Sequence, residues 1–197
     1  ARDAGFEWLE LHFAHGYLAQ SFWSTHSNKR TDQYGGSAEN RGRFLLETLA
    51  AVRAVWPEDR PLSARFGVLE FDGNDEQTLE ESIALVRKMK EHGLDFIDVS
   101  IGFSTPDANI PWSAGFMAPY AHRVRQEAGL PVTTSWYISE GRQADALVRN
   151  NIVDVATLGR PLLANPHWPH EAARILHAKD AKTILPPSYA WWLARYQ

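Results

Sequence analysis

Two histidines and a tyrosine lie close together near the start of the sequence, at His12, His15 and Tyr17. Two imidazoles at this spacing can point toward one oxygen atom and donate hydrogen bonds to it. The same pair has the spacing of two zinc ligands in a hydrolase, although the sequence shows no evident third ligand. A histidine at the end of a strand can also serve packing alone. These residues leave oxygen binding, a zinc site and a structural role open.

Arg65 ends an otherwise apolar run, where a permanent positive charge is costly without an anionic partner. The partner is either a bound anion or a carboxylate at similar depth, for which Glu10 and Asp98 are the candidates. Arg65 is therefore a candidate for ligand binding and, alternatively, for a structural ion pair.

Gly159 and Arg160 close the last apolar run before Pro161, a position where barrels commonly bind phosphate through backbone N–H groups. The sequence has 8 tryptophans, and three of them, Trp136, Trp191 and Trp192, stand where they cannot all be core residues. Flat aromatic side chains suit the walls of a pocket for a planar ligand, and core packing or an oligomer interface is the alternative.

The elements that must position these residues follow from the hydrophobic period. Five short apolar runs, at residues 8–12, 62–66, 96–101, 131–135 and 153–158, are predicted to be strands. Helices are predicted from about residue 40 to 56, from a capping box at Thr78 and Glu81 to Gly93, and near 119–128 and 140–150. The Gly-, Asn-, Ser- and Arg-rich segment 16–37 is predicted to be a long loop.

Alternating strands and helices indicate an α/β fold with parallel strands. Two architectures fit: an incomplete (β/α)₈ barrel of the TIM type with about five β/α units, or an open doubly wound sheet. The second requires a glycine-rich phosphate loop after its first strand, and the residues His12 to Gly16 do not form one. We therefore predict the incomplete barrel, whose active site lies at the carboxyl ends of the strands. The candidate residues at those ends are His12, His15, Tyr17, Arg65, Ser100, Ser135, Trp136, Gly159 and Arg160.

The composition limits the kinds of molecule that the chain is expected to bind. The 197 residues are 44% hydrophobic and 22% charged with a net charge of −4, which is typical of one globular domain without a basic surface for nucleic acid or a membrane. The sequence has no cysteine, so disulfides and thiolate metal sites are excluded, and a cytoplasmic location is the default expectation. Residues 1–5 have the pattern of the last turn of a helix capped by Gly5.

The sequence resembles the Old Yellow Enzyme family of NADH:flavin oxidoreductases, and its bacterial xenobiotic reductases in detail. The resemblance covers nearly the whole chain and is carried by a few specific motifs. These are His12-Phe13-Ala14-His15-Gly16-Tyr17, Asn28-Lys29-Arg30-Thr31-Asp32-Gln33-Tyr34-Gly35-Gly36-Ser37, Glu39-Asn40-Arg41, Ala64-Arg65-Phe66, Asn109-Ile110-Pro111-Trp112, Leu158-Gly159-Arg160-Pro161, Pro166-His167-Trp168 and Tyr189-Ala190-Trp191-Trp192 with Arg195-Tyr196.

The resemblance implies an FMN-dependent NAD(P)H ene-reductase that reduces small molecules with an alkene conjugated to a carbonyl or nitro group. It assigns substrate-oxygen binding to His12 and His15, proton donation to Tyr17, and flavin binding to Arg65. It also assigns FMN phosphate binding to Gly159 and Arg160. Trp136 would line the substrate pocket, and Trp192 would reach an active site across a dimer interface, in a homo-oligomer.

Two residues differ from the family's usual pattern. Phe13 stands between the histidines where a small residue is usual, which predicts crowding at the strand end. Tyr137 stands where glycine usually lets backbone approach the phosphate, which predicts hindrance there. The family's first strands are not recognisable, so residues 1–197 are predicted to be a single C-terminal portion of the barrel. The alternative to an enzyme is an inactive fragment that self-associates or needs a complementing N-terminal part.

Overall fold

The computed structural model describes residues 1–193, and its centre is one sheet of five parallel strands. The strands are β1 (Leu9–Phe13), β2 (Leu62–Leu69), β3 (Phe96–Ile101), β4 (Val132–Thr134) and β5 (Val155–Ala156). Each strand pairs in parallel with the next one along the chain, in the order β1-β2-β3-β4-β5. Sequential order belongs to a (β/α) barrel, whereas a doubly wound sheet reverses its order partway. The structure thus confirms the α/β fold and decides for the partial barrel.

Eight helices connect and flank the strands within residues 1–193. They are α1 (Leu18–Trp23), α2 (Ala38–Arg53), α3 (Asp75–Glu91), α4 (Ala118–Ala128), α5 (Gly141–Arg149), α6 (Arg160–Ala164), α7 (Trp168–Ile175) and α8 (Pro187–Leu193). A 3₁₀ turn, Ala181–Ile184, precedes the last one.

Two of the sequence-based expectations for helices were wrong. The segment 16–37 is not all loop, because α1 lies within it. Helix α3 begins at Asp75, after the N-cap residue Asn74, and not at the capping box around Thr78. The Thr78 hydroxyl instead donates to the Asn74 carbonyl inside the first turn, 3.1 Å away. Helix α2 begins as expected, with the Ser37 Oγ accepting from the Asn40 N–H at 3.2 Å.

Successive residues along each strand point to opposite faces of the sheet, and residues in register on neighbouring strands share a face. The row Phe13, Phe66 and Val99 is buried against the helices, and Phe13 and Phe66 are 3% and 0% exposed. The neighbouring row, with His12, Arg65 and Asp98 in register, faces the other side, which is the interior of the barrel. The first row builds the core, and the second supplies polar groups near the carboxyl ends.

The core lies between the sheet and helices α2, α3 and α4. Leu45 and Leu49 of α2 and Val86 and Met89 of α3 are completely buried, and all four belong to one cluster with the helix-facing strand residues. Burial of a side chain of this size contributes roughly 1.5–3 kcal/mol. This packing fixes β2 and β3, the strands that carry Arg65, Asp98 and the strand-end serine Ser100.

The first residues form a turn that agrees with the sequence pattern. The Ala4 N–H donates to the Ala1 carbonyl, the Gly5 N–H donates to the Arg2 carbonyl, and Gly5 has a φ of 83°. Among residues 1–193, no helix is both long enough and apolar enough to cross a lipid bilayer.

Candidate active site at the carboxyl ends of the strands

His12, His15 and Tyr17 come together at the end of β1. The His12 ring centroid lies 5.0 Å from that of His15 and 5.3 Å from that of Tyr17. His15 has a left-handed backbone with a φ of 61°, and its N–H donates to the Ile101 carbonyl at 3.3 Å. The turn after β1 is thereby fixed to the end of β3, and it places the two imidazoles and the phenol side by side.

Both histidines favour the neutral form. Burial lowers the pKa of His15 to about 4, and the positive charge of Arg65 and the neighbouring His12 act in the same direction. The pKa of His12 is also lowered, first by burial and then by Arg65. Each ring therefore has one N–H near pH 7, so each can donate one hydrogen bond to an oxygen atom without adding a charge.

Arg65 has one protein partner on the neighbouring strand β3 and another just after β4. Its Nη2 donates to the Ser135 Oγ at 2.8 Å, and its Nε lies 3.3 Å from Asp98 Oδ2. Asp98 is thus the carboxylate that pairs with Arg65. Glu10, the other candidate, instead accepts a hydrogen bond from Ser63 Oγ at 3.0 Å. This ion pair leaves hydrogen-bonding capacity unused, because Arg65 Nε and Asp98 Oδ1 are buried without a hydrogen-bond partner.

Burial raises the pKa of Asp98 to about 7, although the charge of Arg65 opposes this rise. Asp98 is 2% exposed, so loss of water disfavours its carboxylate more than Arg65 favours it. The positive charge of Arg65 is consequently only partly neutralised near pH 7, and an anionic ligand can complete its coordination.

A cleft of about 760 Å³ runs from His15 and Arg65 to Gly159 and Arg160 and is partly walled by Trp136. This size lies within the roughly 300–1,000 Å³ typical of ligand sites. A Cβ built on Gly159 would meet no atom within 4 Å. The backbone N–H groups of Gly159 and Arg160 donate no hydrogen bond within residues 1–193. Both are available to an anion, and the donors and the cleft fit a phosphorylated planar group such as FMN.

Trp136 and Tyr137 form the turn after β4, and both have left-handed backbones, with φ values of 75° and 56°. Trp136 makes an edge contact with His15 at 5.8 Å between ring centroids. Tyr137 lines the cleft with its side chain half exposed. The position at which the sequence departs from the family's glycine thus has a backbone conformation that favours glycine.

The structure does not bear out one expectation and leaves another as a prediction. Phe13 does not crowd the strand end, because it points away from His12 and packs in the core. Trp192 does not line the cleft; within this chain it lines a separate cavity of about 370 Å³ with His167, His170 and Tyr189. Contact of Trp192 with an active site across an interface stays a prediction, and Arg195 and Tyr196 lie outside the described residues.

Sequence reasoning missed part of the site's surroundings. Phe103, in the segment after β3, has ring-centroid distances of 5.7 Å to His15 and 5.5 Å to Trp136. Trp112 is in contact with both Trp136 and Tyr137. Trp112 was quoted only as part of a motif, and nothing in the sequence indicates that it meets the turn after β4.

The zinc alternative lacks a ligand set in the described structure. Among residues 1–193, no three or more His, Cys, Asp or Glu side chains are grouped closely enough to hold a metal ion. His26, the histidine next along the chain, bonds to Asp72 Oδ2 through Nε2 at 2.6 Å and does not join His12 and His15.

Parallel strands in sequential order, with polar residues gathered at their carboxyl ends, define a partial (β/α) barrel of the class that places active sites at this face. A sequence model described as the NADH:flavin oxidoreductase / NADH oxidase family matches residues 1–179. The chain belongs to this family, as the resemblance predicted.

The curated relatives are longer than this chain. It is 44% identical over 179 residues to an NADPH dehydrogenase of Geobacillus thermodenitrificans, covering 91% of this chain and 52% of that protein. It is 43% identical over 176 residues to an NADPH dehydrogenase of a Geobacillus species, covering 89% and 51%. The chain therefore spans about half the length of the curated relatives that it matches.

Solved structures show the same fold. Morphinone reductase in complex with tetrahydroNAD superposes with a TM-score of 0.70 at 30% identity, covering 96% of this chain and 48% of that one. A 2-naphthoyl-CoA reductase complex superposes with a TM-score of 0.79 at 26% identity, covering 88% of this chain and 27% of that one.

Proposed function

We propose that the chain is part of an FMN-dependent NAD(P)H oxidoreductase that reduces alkenes conjugated to a carbonyl or nitro group. The observation that carries this proposal is the convergence of two neutral imidazoles and a phenol beside a partly buried arginine. The names of the relatives support it, since they are NADPH dehydrogenases and a morphinone reductase.

His12 and His15 would act on the substrate oxygen. Because each neutral ring donates one N–H, the two can bind a carbonyl or nitro oxygen together and stabilise the negative charge that develops on it. Withdrawal of electrons toward this oxygen makes the far carbon of the conjugated alkene electrophilic. A charged imidazolium is not needed, which agrees with the lowered pKa values of both histidines.

Tyr17 and Trp136 would complete the substrate side. The Tyr17 phenol, whose ring lies beside that of His12, would give its proton to the alkene carbon next to the carbonyl group. Trp136 would form a wall against a planar substrate.

Arg65, Gly159 and Arg160 would hold FMN. The Arg65 Nε is buried without a hydrogen-bond partner, and a fixed positive charge there favours an anionic isoalloxazine edge. The free backbone N–H groups of Gly159 and Arg160 suit its phosphate. When bound, FMN supplies the hydride, which it receives from NAD(P)H.

Flavin retention tests the proposal directly. The purified chain is incubated with FMN and desalted, and the visible absorption band of protein-bound flavin is measured. We expect retained flavin that is lost in Arg65→Ala and kept in Arg87→Ala, since the Arg87 side chain is 50% exposed and pairs with Glu127 on the helical layer. A folded chain that retains no flavin would overturn the proposal for this chain alone.

A second candidate, an inactive portion that self-associates or needs a complementing N-terminal part, rests on a different observation. Strands β1 and β5 each have one unpaired edge among the described residues, and the chain spans about half of its relatives' length. In this reading, residues 1–197 are a single C-terminal portion of the barrel. A homo-oligomer and a cytoplasmic location stay predictions, which light scattering and cell fractionation would test.

A further inference from the structure

Ser100 connects two residues of the candidate active site that lie far apart in the sequence. It sits near the end of β3 and is completely buried. Its Oγ lies 2.7 Å from His15 Nε2 and 3.1 Å from Trp136 Nε1. One hydroxyl group thus joins the turn after β1 to the turn after β4.

The direction of both hydrogen bonds follows from which of the three groups has a proton to donate. An indole N–H can only donate, so Trp136 donates to Ser100 Oγ. The Ser100 hydroxyl proton is buried and requires an acceptor. Within residues 1–193, the acceptor in reach of this hydroxyl is His15 Nε2. The reverse arrangement, with His15 donating to Ser100, would leave a buried hydroxyl proton without a partner.

This direction determines where the imidazole proton lies. The neutral His15 ring has one proton, and an Nε2 that accepts a hydrogen bond cannot hold it. The proton is then on Nδ1, and this atom makes no hydrogen bond within the described part of the chain. The Nδ1–H group is therefore the one that His15 can offer to a ligand.

We propose that Ser100 is a positioning residue that holds His15 in its Nδ1–H tautomer, with the Trp136 indole fixing the orientation of the Ser100 hydroxyl. The tautomer itself does not depend on the proposed function, whereas its catalytic use does. A fixed Nδ1–H donor selects ligands that present an acceptor oxygen, such as a carbonyl or nitro group. Because Trp136 also walls the cleft, the pocket wall and the hydrogen-bond donor are linked through one hydroxyl.

Ser82 provides a matched control within the same protein. It is a completely buried serine on α3, and its Oγ accepts from Trp23 Nε1 at 3.3 Å and donates to the Val68 carbonyl at 2.8 Å. The arrangement of indole, hydroxyl and acceptor matches that of Ser100, but no histidine takes part. Ser82→Ala therefore removes a comparable buried hydroxyl without touching His15.

The test is ¹⁵N NMR of the histidine rings in the ligand-free chain near pH 7, with the His15 signals identified by their loss in His15→Gln. We expect the Nδ1–H form of His15 to dominate by about five- to tenfold, as one net hydrogen bond of ordinary strength implies. Ser100→Ala is expected to reduce this ratio by about the same factor, and Ser82→Ala is expected to leave it unchanged.

Trp136→Phe provides a second variant in case Ser100→Ala does not fold. It keeps an aromatic wall and removes the indole donor that fixes the orientation of the Ser100 hydroxyl. The hydroxyl is then held less strictly toward His15 Nε2, and the Nδ1–H excess is expected to fall. An Nε2–H tautomer in the unmodified chain, or a folded Ser100 or Trp136 variant with an unchanged tautomer, would overturn the proposal. Since no flavin or substrate is present, a failure here is distinct from a failure to bind FMN.

Discussion

Asp98 combines a buried carboxyl group with a neighbouring guanidinium, and its protonation matters near neutral pH. Its pKa is raised from 3.8 to about 7, first by burial and against the effect of Arg65. Between about pH 4 and pH 7, the Asp98 carboxyl group is therefore largely protonated in the folded chain and largely ionised in the unfolded chain. The stability that Asp98 contributes is fully present below pH 4 and is lost as the pH rises toward 7.

Asp98→Asn is expected to remove this pH dependence, because an amide does not titrate. Between pH 5 and pH 8, the free energy of unfolding of the variant should rise relative to that of the unmodified chain by at least about 1 kcal/mol. Chemical denaturation at several pH values measures the difference, from which the histidine titrations shared by both proteins largely cancel. A difference that stays constant with pH would contradict the raised pKa.

Tyr137 has a left-handed backbone with a φ of 56°, which costs a residue with a Cβ roughly 1–2 kcal/mol. We expect Tyr137→Gly to be more stable than Tyr137→Ala by about 0.5–1 kcal/mol, since both lack the ring and only alanine keeps the strain. Thermal unfolding of the two variants measures this difference. Equal stability would show that the turn relaxes when the ring is removed.

The same pair of variants tests whether the tyrosine hinders FMN. If the side chain obstructs the phosphate end of the cleft, both variants retain more flavin after desalting than the unmodified chain. If only the backbone strain matters, the glycine variant alone gains.

At the scale of elements, Glu70 at the end of the extended run of β2 ties two other segments together. Its Oε1 accepts from Gln20 Nε2 of α1 at 3.3 Å, and its Oε2 accepts from the Ser104 N–H after β3 at 2.8 Å. Glu70 is 3% exposed. Because Ser104 follows Phe103, which contacts both His15 and Trp136, this carboxylate orders the aromatic side of the cleft.

Glu70→Ala is expected to destabilise the chain by about 1–3 kcal/mol, because the Gln20 amide keeps only the Gly67 carbonyl as acceptor and the partly buried Ser104 N–H loses its acceptor. Glu76→Ala is the control, since the Glu76 side chain is 71% exposed in its ion pair with Arg123 and should matter by less than about 1 kcal/mol. Denaturant titration gives both values. Similar losses in the two variants would mean that Glu70 has no special structural role.

Strand ends could be read from the sequence, whereas the contacts between them could not. The apolar runs locate β1 to β5 within a few residues. The signal is strongest for β2 and β3, which are buried on both faces. Helix α1 was missed because it has six residues and no side-chain cap. Likewise, the sequence places Ser100 and Trp136 at strand ends, but their bond depends on a left-handed turn after β4 that favours glycine and instead contains Trp136 and Tyr137.

At the scale of the whole molecule, the main feature is a sheet with five strands and two free edges in the described residues. A closed barrel has no edges, and the unpaired backbone groups of an open parallel sheet attract further strands. Val155 of β5 is 46% exposed, and Trp8, just before β1, is 49% exposed. The β5 edge therefore combines free backbone groups with apolar surface, whereas the Trp8 ring lies over the sheet, where it donates to Ser63 Oγ and contacts Phe96.

We expect the chain to self-associate through these edges in a concentration-dependent manner, as measured by size-exclusion chromatography with light scattering. Val155→Lys places a charge on the edge strand β5 and should shift the chain toward the monomer. Val148→Lys is the matched control, because Val148 is 41% exposed but lies on helix α5, away from a sheet edge. If both lysine variants dissociate equally, general surface hydrophobicity drives association. If neither does, the edges are not the contact surface, and the reading in which the open barrel pairs with itself loses its support.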